Sequence, residues 1–198
     1  MVIFILNIEK GDYVTRNSYN NDTVFKIIDI VSNNYILKGI DMRLIADSPL
    51  DDLVLCTDYN DSFDLNDEVT KRFDRDDFFY LPGKILHIDG DCDYLDRCLK
   101  LYEKYNVLAF GVCIKEEDMK YEIKKHLEAI KPDILVITGH DAYYRKHRNN
   151  SNYKNTDKFI DAVRAARKYE NSHEKLAIIA GACQSNYEEL IRAGANFA

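Results

Sequence analysis

The stretch Asp133-Ile134-Leu135-Val136-Ile137-Thr138-Gly139-His140 and its later counterpart Leu176-Ala177-Ile178-Ile179-Ala180-Gly181-Ala182-Cys183 decide the fold. Each is an apolar, β-branched run of strand length without polar alternation, the pattern of a strand buried on both faces of a parallel sheet. Each stops at a glycine, and just beyond it stands a residue able to take part in acyl transfer. A thiol and an imidazole at two such ends suggest a cysteine hydrolase.

The flanking sequence repeats the same alternation. Lys84 to Ile88 reads as a strand closing on Asp89-Gly90-Asp91, and Tyr94 to Tyr105 carries Leu95, Cys98, Leu99 and Tyr102 at helical spacing. Val107 to Cys113 is a second strand. A charged helix from Glu116 to Ile130 is broken by Pro132. After His140 a polar loop, Tyr143 to Asn155, leads to a helix capped by Thr156 or Asp157 and running to Tyr169. A last helix, Tyr187 to Ala193, is stopped by Gly194. This succession predicts an α/β domain with a mainly parallel sheet and right-handed crossovers.

Upstream the pattern differs. Gly11 to Val14, Thr23 to Val31, Tyr35 to Leu37 and Met42 to Ala46 are short β-branched or aromatic runs, separated by turn clusters at Asn17 to Asp22 and Ser32 to Asn34. They predict a small SH3-like β-barrel module. Between Thr57 and Tyr80 eight acids (Asp58, Asp61, Asp64, Asp67, Glu68, Asp74, Asp76, Asp77) face Lys71, Arg72 and Arg75, with no glycine and no clear periodicity. That segment reads as an acidic linker ending at Leu81-Pro82-Gly83. The expected organisation is a β module over 1–56, a linker over 57–82 and an α/β domain over 83–198. Met1 to Leu6 is expected as a first strand, being short for a signal core and without a basic leader.

A net charge of −7 argues against nucleic acid or an anionic membrane surface as the main partner. No run approaches the ~20 apolar residues of a membrane span, so a cytoplasmic protein is expected. Cys56, Cys92, Cys98, Cys113 and Cys183 form no C-x-x-C pair and are odd in number, so reduced thiols are the expectation. His87, His126, His140, His147 and His173 show no ligand spacing, and no glycine-rich phosphate loop is present. Neither a metal nor a cofactor is expected.

In open parallel sheets binding and chemistry gather outside the carboxyl ends of the strands, where both His140 and Cys183 fall. Aligning Gly139 with Gly181 sets the two runs in step, and the 43 residues from His140 to Cys183 fit one loop, one helix and one strand. Adjacent strands lie about 4.8 Å apart, which would let imidazole and thiol converge. The imidazole takes the thiol proton and later protonates the leaving amine. Main-chain N–H groups at Cys183 and at Asp141 beside His140 are candidates for the oxyanion, with a contribution from the helix start near Asn186. Read as single residues, Cys183 is equally a small buried hydrophobe and His140 a polar loop residue. A non-catalytic α/β binding or assembly module therefore stays open beside the enzyme.

The motifs Gly83-Lys84-Ile85-Leu86-His87-Ile88-Asp89-Gly90-Asp91, Lys131 to Tyr143 and Ala180-Gly181-Ala182-Cys183-Gln184-Ser185, followed by Leu190 to Ala198, closely resemble the YabG family of sporulation-specific proteases of endospore-forming bacteria. Gly11 to Val14 and Arg43 to Ser48 resemble the amino-terminal module of that family. The likeness spans nearly everything outside the acidic linker.

What the resemblance implies is a cysteine endopeptidase that processes spore-coat and related spore proteins, and itself. It also looks like the wider caspase-like group, which includes clostripain, gingipain and separase, with histidine before cysteine and each at a parallel strand's end. There glycine typically follows the histidine and Gln-Ala or Asp-Ala often precedes the cysteine; here Asp141 and Gly181-Ala182 stand in those places. By the same likeness, acids at a strand tip would hold a substrate arginine, and Asp89, Asp91 and Asp93 sit at such a tip. A caspase-like sheet is expected to continue past Ala198, making the 83–198 domain truncated at its carboxyl end.

Overall fold

A computed structural model describes residues 8–57, 59, 83–143 and 153–198. The expected first strand at Met1 to Leu6 and nearly all of the acidic linker lie outside these residues.

The amino-terminal part is an antiparallel sheet of β1 (Tyr13–Arg16), β2 (Phe25–Val31), β3 (Asn34–Gly39), β4 (Ile45–Pro49) and β5 (Leu53–Leu55), in the order β4-β3-β2-β1-β5. The β2–β3 hairpin turns at Ser32 and Asn33, both at positive φ, the two-residue geometry that matches strand twist. A register shift between Ile27 and Asp29 sets a bulge in β2. Alternating positions bury Val14, Phe25, Ile27, Leu37 and Leu53 in a small core of their own. β5 falls outside the short β runs read from the sequence.

The second part is a parallel sheet of β6 (Ile85–Asp89), β7 (Ala109–Cys113), β8 (Ile134–Thr138) and β9 (Ala177–Gly181), in the order β7-β6-β8-β9. Its helices are α1 (Cys92–Lys104), α2 (Met119–Ile130), α3 (Thr156–Tyr169) and α4 (Tyr187–Ala193). The α/β expectation with a parallel sheet therefore holds, joined to an antiparallel sheet. On one face Leu86, Ile88, Leu135, Ile137, Ile178 and Ala180 pack against Met119, Ile123 and Leu127 of α2, Phe159 and Val163 of α3 and Leu190 of α4. The other face carries α1 over β6 and β7. A side chain at Gly111 would strike Leu99 of α1, so a glycine there permits the close approach.

Two sequence expectations need correcting. Cys92 and Cys113 form a disulfide, with Cα atoms 5.3 Å apart. The parallel register pairs Asp89 with Cys113, and Cys92 opens α1 immediately beyond the same tip, so residues far apart in sequence meet at bonding distance. Cys56, Cys98 and Cys183 are free. The second correction is of register: Thr138, not Gly139, pairs with Gly181. His140 and Cys183 consequently stand the same two residues past the last paired position of adjoining strands.

Candidate active site

The carboxyl ends of β6, β8 and β9 carry the candidate residues. Cys183 is exposed with a free thiol, in the loop between β9 and α4. His140 is nearly enclosed: its Nδ1 lies 3.5 Å from Asp91 Oδ2, and its buried Nε2 takes no hydrogen bond among the described residues. Burial is the largest influence on this imidazole and lowers its pKa to about 4, with Lys38 and Arg43 acting in the same direction and Asp91 and Asp89 opposing. At neutral pH the ring is uncharged, the form that accepts a proton.

The Asp141 carboxylate is engaged by four donors. It is fully buried and ties three elements together. Its Oδ1 accepts the N–H groups of Ala142 (2.8 Å) and Asn155 (2.7 Å), and its Oδ2 accepts the hydroxyls of Thr156 (2.5 Å) and Ser185 (3.0 Å). Ser185 in turn accepts the Ala182 N–H, and Thr156 accepts that of Asn186. The Tyr143 N–H donates to Gln184 Oε1 at 3.0 Å. The loops carrying His140 and Cys183 are thereby stitched to each other and to the start of α3, which restricts the motion of one relative to the other. Gly181 adopts φ +125°, and an added Cβ would meet Leu190, so the turn into the cysteine loop calls for glycine.

The three acids read from the sequence as a substrate subsite have different surroundings. Asp89 is fully buried and 2.7 Å from Arg43 Nη1. It also accepts the Asp91 N–H and the Thr138 hydroxyl, both at 2.9 Å. Burial works to raise its pKa, but the His87 contact, the Arg43 charge and these two hydrogen bonds outweigh it and hold the pKa at about 2. Asp91 is buried and lies 2.5 Å from Lys38 Nζ. Asp93 is open, its side chain 85% exposed and 3.8 Å from the same ammonium. Both basic side chains come from the antiparallel sheet, Lys38 on β3 and Arg43 just before β4.

These contacts belong to a junction between the sheets. Arg43 stacks over the Tyr94 ring at 4.0 Å, Tyr94 donates its hydroxyl to the Asp41 carbonyl, and a parallel bridge joins Leu44 to Asp141 beside the candidate histidine. Sequence reading missed this contribution because Lys38 and Arg43 lie about fifty residues from their partners and carry no local signal. It also missed Glu116, whose carboxylate accepts the His140 N–H at 3.0 Å and fits between Gly90 and Gly139, where any Cβ would collide with it. The paired glycines at the two tips were the available clue. Among the described residues no group of histidines, cysteines and acids is placed to hold a metal ion, and no helix is long and apolar enough to cross a membrane.

The model of the YabG peptidase U57 family matches residues 9–72 and 59–198. The chain belongs to that family. It is 38% identical over 222 residues to the sporulation-specific protease YabG of Bacillus subtilis (strain 168), a match covering 95% of this chain and 77% of the relative. YabG membership identifies the chain as a sporulation peptidase, in agreement with the motifs around His87, His140 and Cys183. A response regulator receiver protein from Pseudomonas putida overlaps 60% of the chain and 84% of its own length, at 11% identity and a TM-score of 0.38. The anti-anti-sigma factor PhyR from Bartonella quintana overlaps 58% of the chain and 46% of its own, at 10% identity and a TM-score of 0.32. At those scores neither bears on how these strand tips work.

Proposed function

We propose that this chain is a cysteine endopeptidase in which Cys183 is the nucleophile and His140 the general acid and base, with a caspase-like domain over 83–198 and an SH3-like module over 1–56 joined by the acidic linker. The observation that carries the reading is the equal offset of the two residues beyond the Thr138–Gly181 pair on adjoining parallel strands. The unpartnered Nε2 of His140 takes the thiol proton, and the thiolate attacks the scissile carbonyl carbon. The N–H of Cys183 receives the oxyanion, whereas that of Asp141, fully buried and bridged to Leu44, belongs to the junction between the sheets. His140 then protonates the departing amine, and water, losing its proton to the same nitrogen, hydrolyses the thioester.

Substrates are spore-coat and related spore proteins in the sporulating cell, at the coat or in the surrounding cytoplasm, and the chain itself. Cleavage follows arginine. The tip of β6 is suited to basic side chains, as the seating of Arg43 on Asp89 illustrates. With Asp89 and Asp91 engaged by Arg43 and Lys38, the exposed Asp93 is the acid that meets the substrate. Peptides differing only in arginine, lysine, aspartate or leucine before the scissile bond test this. The reading expects the highest kcat/KM for arginine and no turnover by Cys183→Ala; a preference for aspartate or leucine removes the specificity claim, and turnover by Cys183→Ala removes the mechanism.

A further inference from the structure

We infer that Asp91 is a positioning residue for His140 and that Lys38, delivered by the amino-terminal sheet, holds the Asp91 carboxylate in place. The inference rests on the Cys183–His140 reading and extends it to a residue on a third strand tip and a cation from the other sheet.

The two oxygens of Asp91 have separate tasks. Oδ1 caps α1, accepting the N–H groups of Asp93 (3.1 Å) and Tyr94 (3.3 Å). A helix cap needs nothing more. Oδ2 points the other way, 2.5 Å from Lys38 Nζ and 3.5 Å from His140 Nδ1. The cap fixes the carboxylate on the rigid end of α1, and Lys38 offsets the charge of a group whose side chain is only 5% exposed.

For the imidazole the consequence is one orientation and one tautomer. An Nδ1–H directed at Asp91 leaves the lone pair on Nε2, the buried nitrogen without a partner. The 3.5 Å separation is long for a hydrogen bond, and such contacts tighten once substrate fills a site. The charged groups around His140 are Lys38 and Arg43 from the antiparallel sheet, Asp89 from β6, Asp91 from the loop beyond it and Glu116, whose carboxylate accepts the His140 N–H. Removing Lys38 therefore makes the ring easier to protonate, and removing the Asp91 charge makes it harder. Since His140 must be neutral to take the thiol proton, the acid limb of the rate profile moves to higher pH in the first case and lower in the second. The shift of the acid limb reports the charges around the ring, and a fall in kcat at unchanged KM reports the loss of its orientation.

Steady-state kinetics on an arginyl peptide, run across pH for Asp91→Asn, Lys38→Met and Lys38→Arg in the full chain, test the inference. Asparagine caps helices as well as aspartate, so the Asp91→Asn protein keeps α1. The expected result is a kcat lower by about a hundredfold or more with KM nearly unchanged, the scale of lost acid–base assistance. Lys38→Met is expected to raise the acid limb, and Lys38→Arg to restore the wild-type profile. A folded Asp91→Asn protein with wild-type kcat and pH profile overturns the inference, as does a rise in KM at unchanged kcat, which would assign Asp91 to substrate binding. If Asp91→Asn does not fold, Lys38→Met decides: an unmoved acid limb overturns the inference. Cys183→Ala run alongside separates the failures. Activity in that protein defeats the dyad itself, whereas its inactivity beside a fully active Asp91→Asn defeats only the positioning role.

Discussion

The parallel sheet is closed on one face by three helices and on much of the other by α1, so β8 reads as an apolar run, and its buried core spans three strands and three helices, with Val112 of β7 packed against it. The antiparallel sheet has a core of five buried side chains, and Ile30, Val31 and Val54 remain at the surface. The larger unit supplies the candidate nucleophile and base. The smaller supplies cations, Lys38 and Arg43, to the acids at the other's strand tips. Comparing them suggests a division of labour in which one sheet carries reacting groups and the other sets the charge around them.

The largest predicted stability effect lies at the junction. Arg43→Met leaves the fully buried Asp89 without its cation and is expected to cost about 4 kcal/mol, the scale of breaking a buried pair from one side. Chemical denaturation measures it, and a cost below about 1 kcal/mol would mean that the sheets are joined by something else. Cavity variants sharpen the contrast between the two cores. Ile137→Ala and Ile27→Ala, both at buried sites, are each expected to cost about 3 kcal/mol. In one cooperative unit both lower the same thermal transition. Two transitions, one sensitive to each variant, would make the sheets independent.

Acid titration gives a further, smaller effect. The pKa of Asp89 is depressed from 3.8 to about 2, so its contribution of about 2 kcal/mol is complete above the unfolded value and is lost as pH falls from about 4 towards 2. His140 adds a penalty in a higher window. Below about 6.5 the unfolded chain binds a proton that the folded ring refuses until about 4. Stability measured from pH 7 to pH 3 should therefore fall in two stages, and His140→Gln should remove the upper one. The smallest effect is at the surface: Asp93→Asn is expected to leave stability unchanged within about 0.5 kcal/mol and to raise KM for arginyl peptides a fewfold.

Elements of the parallel sheet were legible because local rules and tertiary structure agree there. The runs ending at Gly139 and Gly181, the break at Pro132 and the stop at Gly194 each reported a boundary in their own residues. Partnerships across the chain were not. The Cys92–Cys113 disulfide follows from the β6–β7 register, and a one-residue difference in the β8–β9 register brought His140 and Cys183 level. Asp141, read from the sequence for its main-chain N–H, uses its carboxylate to bind Asn155, Thr156 and Ser185, all at least fourteen residues away. Spacing within a strand reveals which residues reach a tip, but the neighbouring loops determine what each side chain touches.

The central claim is that the thiol of Cys183 is served by the imidazole of His140. Its most direct test is the rate of iodoacetamide modification at Cys183, followed by peptide mass spectrometry at pH 6 in the wild-type chain and in folded His140→Ala. Cys56 and Cys98, the other free cysteines, act as internal references. The account predicts at least a tenfold slower modification of Cys183 in the variant, with the reference thiols unchanged. Equal rates at Cys183 in the two proteins would contradict it.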